Sequence, residues 1–203
     1  MKLILGFSSP FVRKVRIAAA IKNLTPYIEL VTKESDYETY LQIRRKNPLN
    51  KIPTLILNNG EALYDSHVIC EYLDSLAQNT RLFPYESDER FRVLRLASLA
   101  DGLIEATLSI VMERRQRPKT LQLESLIERQ QLKIEATLSF LEGDTPHLSS
   151  PNYGDITLAC ALGYLDLRQE GLWRKRSPLL LRWLEEFSER VPAYAETDPG
   201  NVN

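Results

Sequence analysis

Cysteine is scarce in this chain: there are two in 203 residues, Cys70 and Cys160, ninety positions apart, with no CxxC pair and no Cys/His cluster. That excludes a disulfide scaffold and a zinc ribbon, and it fits a reducing compartment. Histidine is equally rare, and neither His67 nor His147 has ligand spacing. An excess of one charge is also missing. Twenty-six Lys and Arg stand against 27 Asp and Glu, a net charge of -1, so no global positive field draws the chain to nucleic acid or to an anionic membrane. No apolar run approaches the ~18 residues that a membrane span needs. The start, MKLILGFSSPFVRKVR, has one lysine and a short apolar stretch before it turns basic, unlike a leader peptide. The expectation is a soluble, cytoplasmic protein with no nucleic-acid and no membrane partner. What is present is ordinary for a folded chain, 43% hydrophobic and 26% charged residues, which excludes disorder and low complexity. Length alone leaves one large domain or two small ones.

The periodicity decides between them. Up to about Leu76 the pattern switches period repeatedly, whereas beyond Asp88 the long segments have helical spacing and no convincing strand appears. Lys2 to Gly6 is a short apolar run suited to a buried strand, and Ser8-Ser9-Pro10 breaks it and starts a helix, with proline at the first helical position. That helix runs to about Lys22. Phe11, Val15, Ala18 and Ala19 recur at helical spacing with Arg13, Lys14 and Arg16 mostly opposite, which predicts packing on one face only. A second strand follows over Tyr27 to Val31. Ser35-x-x-Glu38 reads as a capping box opening a helix that Asn47-Pro48 terminates. Thr54 to Leu57 and Ala62 to Tyr64 flank Asn58-Asn59-Gly60 as an antiparallel hairpin, and Ser66 to about Leu76 is again helical.

The order βαβ followed by ββα, one mixed sheet between helices, resembles the thioredoxin-like arrangement. Residues 77–87 read as a linker, and 88–203 as an all-helical bundle with helices near 88–115, 121–142, 153–168 and 178–190. Asn152-x-x-Asp155 caps the third of these and places an acid in its first turn. The tail from Pro192 is expected to lie over the surface.

Three places in the first domain carry chemistry. Ser9 stands at a helix entrance directly after a buried strand, where free backbone N–H groups and the helix dipole favour an anion and a hydroxyl can donate to it. A thiolate would be stabilised there; a free thiol has a pKa of about 8.5, so little of it is ionised near neutrality. The plain alternative is that Ser9 only caps the helix. In Asn47-Pro48-Leu49-Asn50-Lys51-Ile52-Pro53-Thr54 the proline precedes a strand, a position it tolerates only at an edge or a start. If its peptide bond is cis, Ile52 can offer its main chain to an extended peptide as an added strand, with Lys51 as a nearby cation. An ordinary loop with a solvated lysine is the alternative. Asp65-Ser66 begins a helix, and between them they can take a carboxylate and an ammonium, although Asp-Ser is also a routine helix start.

Together the stretch Ser9 to Ala18, the NPxxKIP pattern at Asn47 to Pro53 and the acidic-Ser pair at 65 and 66 resemble the cytosolic glutathione transferases in order and spacing, over essentially the whole chain. The likeness is to the serine-type branch and to bacterial YibF-type homologues. It implies that Ser9 is catalytic and hydrogen-bonds the glutathione sulfur, that Ile52 pairs with the cysteinyl main chain beside cis-Pro53, that Lys51 holds the glycyl carboxylate, and that Asp65 and Ser66 hold the γ-glutamyl group. Asp65 stands where the family usually has Glu, one methylene longer. Cysteine-type branches would have Cys at position 9, so its absence argues against thiol-disulfide exchange. The implied activity is conjugation of the glutathione thiolate to a small electrophilic or hydrophobic second substrate held against the helical domain. Glutathione is a cosubstrate and no cofactor is implied. The alternatives are a glutathione-dependent peroxidase or lyase, or a non-catalytic binding or regulatory relative. Phe11, Leu103, Thr107 and Met112 are candidates for the second-substrate pocket, and a homodimer is implied.

Of the remaining residues, Cys70 and Cys160 fall inside predicted helices and read as packing residues. His67 faces either the site or solvent. The basic run Arg114 to Lys119 reads as a solvated helix end, with binding of an anionic second substrate as its alternative.

Overall fold

The first strand, β1 (Lys2–Ile4), is the centre of a four-stranded sheet in the order β2-β1-β3-β4. β2 (Glu29–Val31) runs parallel to it, with Leu3 opposite Leu30, while β3 (Thr54–Ile56) runs antiparallel, with Ile4 opposite Thr54. β4 (Ala62–Leu63) pairs antiparallel with β3 through Leu55 and Leu63. This is the architecture of the computed structural model, which describes residues 1–32, 34 and 36–201, with Ile43, Arg44 and Asn201 described by their backbone only. The β3–β4 turn closes through Gly60, whose φ of +87° suits glycine, with its amide donating to the Leu57 carbonyl. Leu3, Ile4, Val31 and Leu55 are buried, as strands covered on both faces require.

The helices of this part are α1 (Pro10–Ile21), α2 (Tyr37–Lys46) and α3 (Ser66–Leu76). Pro10 occupies the first turn of α1, as anticipated. At α2 the expected capping serine, Ser35, lies outside the described residues. Asp36 takes that role: its carboxylate accepts from the Thr39 amide at 2.9 Å.

Two expectations fail here for a shared reason. α1 does not pack on one face only, because Arg13 and Lys14 are buried at 3% and 0% exposure. The tail covers Arg13. A short helix, α8 (Ala193–Glu196), lies against α1; the Arg13 guanidinium sits 4.0 Å over the Tyr194 ring and donates to the Tyr194 carbonyl at 2.7 Å. The chain accordingly divides into one compact unit of Met1–Tyr85 with Val191–Asn203 and another of Glu86–Arg190, so the tail belongs to the first unit rather than to the helical one.

Nor is the stretch after α3 a free linker. Asp74 accepts from the Leu82 and Phe83 amides at 3.0 and 3.1 Å and pairs with the buried Lys22 at 2.9 Å, and Leu82 and Phe83 are buried within the first unit. A buried charge survives only when so partnered.

The second unit consists of α4 (Ser87–Gln116), α5 (Glu124–Gly143), α6 (Tyr153–Gln169) and α7 (Pro178–Arg190). α6 is its core: it is apolar and almost wholly buried, and it packs mainly on α4. The close approach falls at Gly154, where an added Cβ would stand 2.9 Å from the Val93 carbonyl oxygen. The capping box opens α6 as expected, with the Asp155 amide donating to Asn152 at 3.2 Å and the Asn152 amide donating to Asp155 at 3.1 Å. Among the described residues no helix is long and apolar enough to cross a membrane.

Candidate functional site

The sheet register brings three loops to one end. β1 leads into α1 beyond Ile4, and Ile4 faces Thr54, the first residue of β3, so the loop ending in Pro53 emerges beside the loop that starts at Gly6. β4 is antiparallel to β3, so Leu63 faces Leu55 and the chain leaves towards Asp65 and Ser66 at that same end. Contact between the first two loops is close. A Cβ built on Gly6 would be 3.1 Å from Ile52 Cδ1.

Ser9, not Ser8, occupies the N-cap of α1 with extended backbone, and its Oγ accepts from the Val12 amide at 3.4 Å. An Oγ that accepts from the helix keeps its own hydrogen for a ligand. The Ser9 amide donates to the Gly6 carbonyl at 2.9 Å, which ties the loop into a tight turn. Behind it, the Arg16 guanidinium lies 5.2 Å over the Phe7 ring, and burial, with Arg13 nearby, holds Arg16 below its ordinary pKa.

The second loop carries its own frame. The Ile52–Pro53 bond is cis. Asn47 is buried and makes the contacts that shape the turn: its Nδ2 donates to the Lys51 carbonyl at 3.1 Å and to Thr54 Oγ1 at 2.9 Å, its Oδ1 accepts from the Leu49 amide at 3.0 Å, and its carbonyl accepts from the Asn50 amide at 2.8 Å. Thr54 Oγ1 donates to the same Lys51 carbonyl at 2.9 Å. Asn47 and Thr54 are the residues that sequence reasoning missed. Asn47-Pro48 read as a helix stop, and no local signal in the sequence separates that role from the organising of a loop. The side chain of Ile52 packs on Ile4, Val31 and Ile56, while no described residue hydrogen-bonds its main chain. The Lys51 side chain is exposed.

At the third loop Asp65 is the N-cap of α3, with Oδ1 accepting from the His67 amide at 3.0 Å. Its second oxygen has no hydrogen-bond partner among the described residues. Ser66 is buried at 3% exposure, yet its hydroxyl has no hydrogen-bond partner among the described residues. The His67 ring lies 5.5 Å from the Phe83 ring, tilted by 33°.

The candidates for a second-substrate pocket are not alike. Phe11 is half-buried, and its ring lies 5.1 Å from the Lys14 ammonium. Leu103 and Thr107 are buried at 1% each, with Thr107 Oγ1 donating to the Leu103 carbonyl at 2.8 Å, yet Thr107 lines a cavity together with Ile110, Val111 and Arg168; Met112 is exposed. Cys70 and Cys160 are buried, in α3 and α6. Among the described residues no cluster of His, Cys, Asp and Glu could hold a metal ion.

A thioredoxin-like sheet unit with these three loops, followed by a helical unit, defines a glutathione-transferase architecture, and comparison with known proteins bears on it directly. The glutathione S-transferase N-terminal domain model matches residues 8–76 and the C-terminal domain model residues 124–186. The chain is 34% identical to the uncharacterised GST-like protein YibF of Escherichia coli K12 over 98% of each sequence. It is 35% identical to a glutathione transferase family member from Pseudomonas fluorescens Pf-5 crystallised with glutathione, with a TM-score of 0.88 and 98% of both chains covered. A Methylobacillus flagellatus KT glutathione S-transferase crystallised with glutathione is 37% identical, again with a TM-score of 0.88 and 98% coverage of both chains. The chain belongs to the glutathione S-transferase family.

Proposed function

We propose that the protein binds glutathione at the sheet end bearing Ser9, Ile52 and Ser66 and transfers its thiolate to a small electrophile. The observation that carries the reading is the set of unused polar groups gathered there: a Ser9 hydroxyl hydrogen, the Ile52 main chain, the Ser66 hydroxyl and one Asp65 oxygen. In this reading the cysteinyl main chain of glutathione pairs with Ile52 as an added strand beside Pro53. Asp65 takes the γ-glutamyl ammonium, Ser66 its carboxylate, and Lys51 the glycyl carboxylate. The thiol then lies at the α1 N-terminus. It loses its proton to water while Ser9 donates to the sulfur and the helix dipole favours the anion. The thiolate attacks the electrophilic carbon, a C–S bond forms, and the leaving group departs or, for an activated alkene, the adjacent carbon takes a proton. Positioning and electrostatic stabilisation supply the rate. The glutathione complexes of the Pseudomonas and Methylobacillus relatives support the cosubstrate.

Calorimetric titration of glutathione into the protein and into Ser9→Ala, with ultraviolet measurement of the thiolate and a panel of aryl halides, peroxides and activated alkenes, tests it. Expected are near-equal glutathione affinities, a thiol pKa raised by ~1 in the variant and a roughly tenfold or larger drop in kcat, since one pKa unit is a factor of ten in thiolate. Absence of glutathione binding to the parent protein overturns the proposal. Unchanged turnover in Ser9→Ala removes Ser9 from it. The reading includes a cytoplasmic homodimer, so light scattering should return twice the 23.4 kDa chain mass.

A further inference from the structure

Within the helical unit a cavity of about 810 Å³ runs along α5 from Gln131 to Gly143 and is bordered by the chain from Gln169, the last residue of α6, to Ser177 just before α7. Phe11, Leu103, Thr107 and Met112 do not border it, and Gln169 is its one residue in common with the cavity that Thr107 lines. Its size lies within the roughly 300 to 1,000 Å³ of clefts that hold small molecules. Ile134, Leu138 and Trp173 are buried along it, and Leu172 stands beside them at 69% exposure. Trp173 Nε1 already donates to Asp166 at 2.8 Å, which leaves ring carbon for the cavity. The acids on the wall are also engaged. Glu142 accepts from the Leu179 and Leu180 amides at 2.8 and 3.0 Å, and Glu135 pairs with Arg176 at 3.6 Å; Lys175 is exposed. An ionic ligand would therefore exchange its hydration for a pairing with one exposed cation, which contributes little. Ser177 is different. Ser177-Pro178 repeats the Ser9-Pro10 pattern that opens α1, yet the first amides of α7 go to Glu142 and not to the serine. Ser177 is 2% exposed, and its hydroxyl has no hydrogen-bond partner among the described residues. Buried polar groups are otherwise nearly all partnered, and a polar group on a ligand in the cavity would complete this one.

We infer that this cavity binds an uncharged, largely apolar small molecule carrying one hydrogen-bonding group, at a place separate from the residues assigned to glutathione and to its electrophile. The apolar wall of Ile134, Leu138, Leu172 and Trp173 supplies the affinity by burial of hydrocarbon. The Ser177 hydroxyl orients the ligand, as a single placed polar group does in an otherwise apolar cleft.

Calorimetric titration of the full chain with 4-cyclohexylphenol and 4-cyclohexylbenzoate at neutral pH tests the inference, the two probes sharing an apolar body and differing in charge. The phenol should bind about tenfold or more tighter than the carboxylate, which meets no unpaired buried cation. Ser177→Ala should lower the phenol affinity about fivefold, the worth of one net hydrogen bond, while the urea midpoint stays at the parent value because the hydroxyl caps nothing. Leu172→Asp, at an exposed position, should lower it about tenfold by setting a charge on the apolar wall. Glutathione affinity should be unchanged in both variants. Failure of the phenol to bind overturns the inference, as does a carboxylate that binds as tightly. Phenol affinity that survives both substitutions overturns it too, since the probe then sits elsewhere on the protein.

Discussion

Asp65 holds its two carboxylate oxygens in different surroundings: one accepts from the His67 amide and caps α3, the other has no partner among the described residues. Asn at an N-cap is about as good as Asp. Asp65→Asn should therefore leave the denaturant midpoint within about 0.5 kcal/mol of the parent, while removing the charge that would meet the γ-glutamyl ammonium. Hydrogen bonds to charged groups are worth about 1.5 to 3 kcal/mol, so glutathione affinity should fall about tenfold or more. Calorimetry and urea unfolding on the same preparation check both halves. Equal affinity would move the ammonium to another acceptor and reduce Asp65 to a cap. Ser66 differs from Asp65 in kind, since the residue is only 3% exposed and its hydroxyl has no partner among the described residues. A side chain so placed is expected to meet a ligand.

Among the elements, α1 shows how far the sequence could be read. Its start was legible because Ser9-Pro10 combines a capping residue with a proline that fits only the first turn, and Ser9 is the observed N-cap. The hairpin at Asn58-Asn59-Gly60, the helix opening at Asp65-Ser66 and the Asn152 capping box were legible on the same ground: local chemistry at an element's end determines them. The buried side of α1 was not. Arg13 and Lys14 read as solvent-facing by periodicity, and the partner that buries Arg13 lies 181 positions further on, at Tyr194. The packed stretch after α3 was hidden similarly, because Asp74 gives no sign in sequence that it will collect Lys22 and two amides. Asn47 escaped because a helix stop and a loop organiser look identical until the loop closes. The α1–α8 contact carries a test. Arg13→Met keeps the stem but removes the cation over Tyr194 and the bond to its carbonyl, and should cost about 1 to 3 kcal/mol. Limited proteolysis should then cut within residues 191–201 faster than in the parent. A tail that stays equally resistant would mean that α8 docks by its apolar contacts alone.

Stability against pH belongs to the whole molecule, and here one carboxyl dominates it. Asp155, buried at the N-terminus of the core helix of the second unit, has its pKa pushed up to about 7 by desolvation, with the hydrogen bond from the Asn152 amide acting the other way. Asp36 and Glu86 are held below their ordinary values, chiefly by hydrogen bonds from Thr39 and from the Glu89 amide respectively, but both are exposed. A carboxyl whose folded pKa lies above the unfolded 3.8 binds more protons folded than unfolded between those two values. Its contribution is therefore fully present below about pH 4 and is lost as pH rises through about 7, the reverse of the usual acid behaviour. The shift from 3.8 to about 7 sets the scale at roughly 4 kcal/mol. Asp36 and Glu86 act with the opposite sign, losing stability as pH falls through their lowered values, so the optimum these three groups define should lie near the ordinary carboxyl values of 3.8 and 4.5, where their gain is complete and the loss at Asp155 has only begun. Urea unfolding at intervals from pH 5 to 8.5 should show stability falling with pH for the parent chain. Asp155→Asn keeps an acceptor for the Asn152 amide and cannot titrate, so its profile over that range should be nearly flat. A parent profile that rises through pH 7, or a variant with the parent's slope, would show that Asp155 enters the fold ionised, its charge held by the capping box and the helix dipole.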